Sequence, residues 1–328
     1  MNRGFRFEPD AGHAADCARR MHRSLADSLR YICEQSRDEL DFDKAGLDRL
    51  IQRVESGGCF PPSTFALYYD LVPALLKGEG DRAAALFNAL ACEEPTTGSM
   101  QLLALDDPKL AGSTARFLSF MNSDGPMRYT FLPPSPAEVT AFAERFSNTL
   151  DLLERATPEF VEEMRALISQ IVLVTGPPDV KVHFEGGSSY RLWGAMFLNA
   201  VRRRTRIDII ESVAHENAHS RLFGLCTEEA AVQNPDEELH TSPLRFDARP
   251  MDGVYHATFV SARMHWTMSR VIDSGLLTGD ELVAAEKSRA QDRRNFDSGY
   301  DTVKRHGRLT ETGRLALDAA VSYMSAAA

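Results

Sequence analysis

The stretch IDIIESVAHENAHSRLFGL, Ile207 to Leu225, contains the five residues HENAH, with His215, Glu216 and His219. Apolar residues Ile207, Ile210, Val213, Ala214, Ala218 and Leu222 recur every three or four positions, the period of a helix with one buried face. Thr205 with Asp208 three residues on is a capping-box signal at its front, and Gly224 is a stop signal. At 3.6 residues per turn, His215 and His219 stack on one face with converging imidazoles. Glu216 is rotated from His215 by roughly 100°, so it can lean over a bound ion's open side without readily ligating it. Two neutral nitrogen donors at i and i+4 beside a carboxylate make the H-E-x-x-H metal signature, which a pair of solvent-facing histidines on an ordinary amphipathic helix would also produce.

The chain around this segment has 328 residues, room for about two domains and a continuous core. A net charge of −10 argues against a nucleic-acid binder, which would carry a basic domain. Cys17, Cys33, Cys59, Cys92 and Cys226 are odd in number, scattered and without a C-x-x-C pair, the pattern of reduced thiols in a cytoplasmic protein. MNRGFRFEPDAG at the N-terminus lacks a signal-peptide core, and no apolar run is long enough to span a membrane. A secreted digestive protease is therefore disfavoured, and no membrane association is expected.

Residues 10–121 read as helices: Ala18, Met21, Leu25, Leu29 and Ile32 keep helical spacing, as do Leu47, Leu50, Ile51 and Val54. Ser63 is expected to cap a third segment, interrupted by Pro73 and ended by Gly78, and Asp81 to open a fourth. His13 and His22 read as surface residues. PPSPAE, Pro133 to Glu138, is the best boundary, with a Ser135/Glu138 capping box and Pro136 at the first helical position. Val139, Phe142, Phe146, Leu150 and Leu153 then form one buried stripe, and Phe160, Val161, Met164, Leu167 and Ile168 another after Thr157 and Pro158. Strand-like runs follow at Ile171–Val174, Val180–Phe184 and Tyr190–Leu198. The order of helix, short sheet and HENAH helix suits an α+β, mostly helical fold with a zincin-like metal domain. Three regions are expected: a helical one over 1–133, the metal core over 134–275 and C-terminal helices over 276–328 packing back on it. Arg191 to Asn199 is either an exposed edge strand able to hold a peptide or an ordinary core strand. Arg202, Arg203, Arg204 and Arg206 read as a solvated turn, or as a guide for an acidic peptide.

Two histidines need a further donor. Leu222 occupies the place of the glycine in the metzincin pattern, and Glu228 and Glu229 follow His219 too closely for a second helix to return. His256 lies in the first turn of a helical pattern beginning at Gly253, on its inward face, and is the preferred third ligand; His240 and His265 compete with it.

In combination, HENAH, SPLRFDARP (Ser242 to Pro250) and GVYHATFV (Gly253 to Val260) resemble the HExxH-motif iron- and 2-oxoglutarate-dependent peptide β-hydroxylases of ribosomal peptide natural-product biosynthesis. The resemblance covers Gly186 to Val260, with Leu244 standing where an aromatic residue would be expected. It implies metal ligands at His215, His219 and His256, Fe(II), 2-oxoglutarate and O2 as cofactor and co-substrates, and a precursor peptide as partner. It also makes Arg245 and Arg249 candidates to grip the co-substrate. Arg263 joins them because it too lies near His256, and arginine's planar fork suits a buried carboxylate. Glu216 would then orient water, substrate or a ligand. The alternatives are a zinc peptidase with Glu216 as its base, and a precursor-binding protein with a vestigial metal site.

Overall fold

Apolar period and capping chemistry build most of what the computed structural model describes, which is residues 5–96, 98–122, 128–180, 182–244 and 247–327. Its helices are α1 (Ala11–Ser36), α2 (Lys44–Glu55), α3 (Pro62–Leu76), α4 (Gly80–Ala91), α5 (Thr114–Met121), α6 (Pro136–Ala156), α7 (Pro158–Leu167), α8 (Arg206–Leu225), α9 (Met251–Asp273), α10 (Gly279–His306) and α11 (Glu311–Ala326). The strands are β1 (Gln101–Ala104), β2 (Gln170–Val174), β3 (Gly186–Gly187), β4 (Ala195–Asn199), β5 (Leu239–His240) and β6 (Arg249–Pro250). The fold is mostly helical with a small mixed sheet, as the α+β expectation has it.

Two compact units interleave along the chain. One holds the residues up to 14, 140–164 and those from 201 onward; the other holds 15–139 and 165–200. In the second unit the strand order is β1-β2-β4-β3, with β1, β2 and β4 parallel and β3 antiparallel to β4. Leu103, Phe117, Val172, Phe184 and Phe197 are among the side chains of its core. Gly194, at φ 87°, makes the turn into β4 that a residue with a Cβ would resist.

The sheet corrects several expectations. β1 lies in a region that reads as helical; four residues are too few for a period to show. β4 is no edge: all five of its residues are buried, with β2 on one side and β3 on the other. A strand shielded on both faces presents no alternation, which is why edge and core look alike in its sequence. Val180–Phe184 forms no strand among its described residues, Lys181 lying outside them, and Tyr190–Leu192 is a 3-10 turn. His22 is buried, with Nε2 accepting from the Phe60 amide at 2.8 Å and Nδ1 2.8 Å from the Ala18 carbonyl. An imidazole with a partner at each nitrogen meets its polar needs inside a core. Ser63 sits inside the first turn of α3, which starts at Pro62 after an uncapped Pro61, and Pro73 is accommodated within that helix.

In the first unit, α8, α9 and α10 pack on one another. The Ser135/Glu138 box opens α6, and the apolar stripes of α6 and α7 supply Phe142, Phe146, Leu153, Phe160, Val161 and Met164 to the core. The Tyr255 hydroxyl ties α9 to α11 by donating to the Gly313 carbonyl at 2.7 Å. Gly313 is required there, since a Cβ would fall 2.0 Å from the Ala231 carbonyl oxygen. Among the described residues no helix is long and apolar enough to cross a membrane.

Candidate metal centre

α8 begins as its sequence dictates. The Asp208 amide donates to Thr205 Oγ1 at 3.1 Å, and the Thr205 amide donates to Asp208 Oδ2 at 2.9 Å. It runs through Gly224 to Leu225 instead of stopping at the glycine. Its burial also exceeds one stripe: Ile209, Ser212, Asn217, Ser220 and Arg221 are buried along with the apolar set. A helix packed on most sides shows no single apolar face.

His215 and His219 lie on the half-buried side, as does His256 one turn into α9. His219 Nε2 is 3.2 Å from His215 Nε2, and His219 Nδ1 is 3.1 Å from His256 Nδ1. The His219 and His256 rings stack at 5.4 Å, and Phe223, one turn beyond His219 on α8, closes on both. Burial pulls the His256 pKa down against the opposing pull of Asp252, whose Oδ1 is 3.8 Å from Nε2. Neutral imidazole is the ligand form. Glu216 is only 4% exposed.

Two donors about 2.0–2.1 Å from one ion, at tetrahedral or octahedral angles, lie about 2.9–3.4 Å apart. The His215–His219 pair meets that bite, and three neutral imidazoles suit zinc or iron(II). The third donor is adjacent but not converged. His219 meets His215 through one nitrogen and His256 through the other, so it stands between them. In these rotamers no three His, Cys, Asp or Glu side chains among the described residues surround a single point. The donor chemistry and the 3.2 Å bite fit a metal; a three-histidine set would need the His219 and His256 rings to turn.

The other candidates fall elsewhere. His240 stacks on His306 at 5.1 Å, and His265 Nδ1 is 2.8 Å from the Tyr323 hydroxyl. Glu228 and Glu229 are exposed, and Glu229 accepts from the Thr312 amide. Arg249 opens β6 at the foot of α9, with Nε 3.0 Å from Asp247 Oδ2. Arg245 lies outside the described residues. Arg263 is buried in α9, where it donates to the Phe7 carbonyl and to Glu163 Oε1.

That last contact belongs to a cluster that the sequence does not announce. Glu163 of α7, with 0% of its surface exposed, accepts from Asn217 Nδ2 at 2.9 Å and from the Asp10 amide at 3.1 Å, and Arg221 Nε is 3.7 Å from its Oε2. Arg221 also contacts His13 Nδ1 at 2.6 Å, so the half-buried His13 joins the edge of this cluster. The one available signal is a carboxylate on an apolar stripe, between Phe160 and Leu167 at spacings of three and four. A second such group is Glu211 and Asp292. Glu211 precedes His215 by one turn of α8, and Ser288 of α10 donates to it. Asp292 is buried, and its Oδ2 has no hydrogen-bond partner among the described residues. Burial first, and then the like charge of Glu211, push its carboxyl up to about 8.

No protein-family model matches the chain, and no curated protein is significantly similar to it.

Proposed function

We propose that the chain is a peptide β-hydroxylase of the cytoplasm, dependent on Fe(II), 2-oxoglutarate and O2, that hydroxylates a side-chain Cβ of a ribosomally made precursor peptide. The observation that carries it is the meeting of His215, His219 and His256, drawn from two helices, with nitrogens 3.1–3.2 Å apart along the row. Three protein donors on a six-coordinate ion leave three positions, enough for a chelating keto acid and dioxygen. When bound, the iron supplies the oxygen chemistry, and the protein supplies binding and orientation.

Each residue's part follows from its place. α8 presents His215 and His219 at a fixed bite, and α9 brings His256 beside them. Arg249, with one nitrogen on Asp247, keeps the rest of its fork for the distal carboxylate of the keto acid, with Arg245 as its neighbour in sequence. Arg263 is withdrawn from that role by Glu163 and Phe7. Glu216 orients a ligand or the substrate from within the protein. The peptide must be held so that one C–H faces the oxidant, which is a positioning task.

Anaerobic loading with Fe(II), followed by 2-oxoglutarate, oxygen and a candidate precursor peptide, tests the assignment. Succinate with a peptide mass gain of one oxygen supports it. Shortened peptides would instead identify a zinc-type peptidase, and Glu216→Gln would then abolish turnover where a hydroxylase retains part of it. A chain that binds peptide but takes up no metal would be a docking protein.

A further inference from the structure

α8 and α9 pack on one another, and the histidine row is one polar link between them. Glu163 is another. It reaches α8 through Asn217 and Arg221, the residues on either side of His219 in the alternate positions, and α9 through Arg263, seven residues or two turns beyond His256. The segment Phe5–Asp10 closes over the same cluster. Arg221 lies over the Phe5 ring and Arg263 over the Phe7 ring, each at 5.8 Å, and the Asp10 amide donates to Glu163. Phe7 stacks on Tyr323 at 4.9 Å and meets Phe259 edge-on at 6.0 Å.

Apolar packing tolerates small slides and rotations of one helix on another, whereas a buried charge tied to both helices resists them. Helix pairs slip in steps of a turn, about 5.4 Å, which would carry His256 out of reach of His219. Buried charges hold their geometry tightly, because any displacement leaves a charge uncompensated. We infer that Glu163 is a positioning residue for the histidine centre: it sets the register of α9 against α8 and thereby places His256 at His219. The link to catalysis rests on the metal assignment above, whereas the geometric claim concerns the metal-free protein.

The test reads the metal-free chain first. Imidazole nitrogen resonances report tautomer and contact for each histidine, and His22, held by Ala18 and Phe60 in the other unit, is an internal reference. In Glu163→Gln the His219 and His256 signals should shift or broaden while His22 stays in place, and Glu163→Asp, which keeps the charge, should recover part of the wild-type pattern. If Glu163→Gln does not fold, Asn217→Ala cuts only the neutral link to α8 and should move His219 by itself. Unmoved His219 and His256 signals in either folded variant, or a His22 signal that moves as much, would overturn the inference. Cobalt(II) titration then adds a second readout, a loss of at least about tenfold in affinity for Glu163→Gln, as for other groups that orient a ligand. A wild-type chain that takes no cobalt overturns the metal assignment alone, since the metal-free spectra still decide the role of Glu163.

Discussion

Glu163 and Asp292 are carboxylates of the same unit, 0% and 3% exposed, and α8 runs past both. Glu163 is surrounded by two guanidinium groups, an amide side chain and a backbone N–H. Asp292 faces a second carboxylate, Glu211, and its Oδ2 has no hydrogen bond among the described residues. Burial of a charge is costly unless it is paired, and otherwise the group gives up the charge. Glu163 illustrates the first outcome and Asp292 the second. One flank of the HENAH helix therefore carries compensated charge, while on the other burial and a like charge favour the protonated form of Asp292.

The largest effect should come from breaking the charged flank. Arg263→Met leaves Glu163 with the more distant Arg221 and frees the Phe7 carbonyl, and removal of one partner from a buried ion pair costs about 3–5 kcal/mol. Denaturant unfolding measures it. The triple variant Glu163→Leu, Arg221→Met, Arg263→Met removes all three buried charges and should be less damaging than the single change, because no buried charge is left unpaired. The groups that lose a partner, the Asn217 amide, the Asp10 N–H and the Phe7 carbonyl, are neutral. A triple variant worse than Arg263→Met would mean that the cluster stabilises through packing and not through compensation.

Asp292→Asn sharpens the other half. The folded-state pKa of about 8 lies above the ordinary value of 3.8. The stabilising contribution of Asp292 is therefore complete below about pH 3.8, and is lost as pH rises toward and through 8. A pKa difference of one between the folded and unfolded chain corresponds to about 1.4 kcal/mol, so the full span amounts to several kcal/mol. The asparagine variant cannot ionise. Its melting temperature should fall less than that of the wild type between about pH 5 and 9, with the variant the more stable protein at the alkaline end. Parallel pH profiles would show that Asp292 is already charged or otherwise partnered at neutral pH.

Much of the frame is legible in local chemistry. Thr205 and Asp208, and Ser135 and Glu138, mark helix starts by hydrogen bonds confined to one turn, and both form. Four-residue spacing is enough to bring His215 to His219. His256 reaches them from 37 residues away, which spacing cannot establish and the resemblance only suggests. What stays hidden depends on partners far along the chain. Glu163 meets Arg263 100 residues later and Asp10 153 residues earlier, so its sequence neighbourhood shows a charge out of place and not its reason. Asp292 carries the same signature, falling between Ser288 and Phe296 on the buried side of α10. Arg263 reads as a co-substrate clamp because it lies near His256 in sequence, whereas two turns along a helix deliver it to a different carboxylate. β1 and β4 are obscured by shortness and by burial on both faces.

The smallest effect separates a shared proton from two independent carboxylates. Ser288 donates its hydroxyl to Glu211 Oε1 and is buried, so Ser288→Ala removes a hydrogen bond to an acid whose other neighbour is Asp292. Glu211 is only half-buried, so water can take up part of the lost bond, and the cost at neutral pH should be about 1 kcal/mol. In the Asp292→Asn background the new amide can donate to Glu211 in place of the hydroxyl, and the cost of Ser288→Ala should shrink. Non-additivity of about 0.5 kcal/mol or more in this double-mutant cycle would bind Glu211, Ser288 and Asp292 into one unit. Additive effects would place Asp292 outside hydrogen-bonding reach of Glu211, which would then raise its pKa only through space, by like charge.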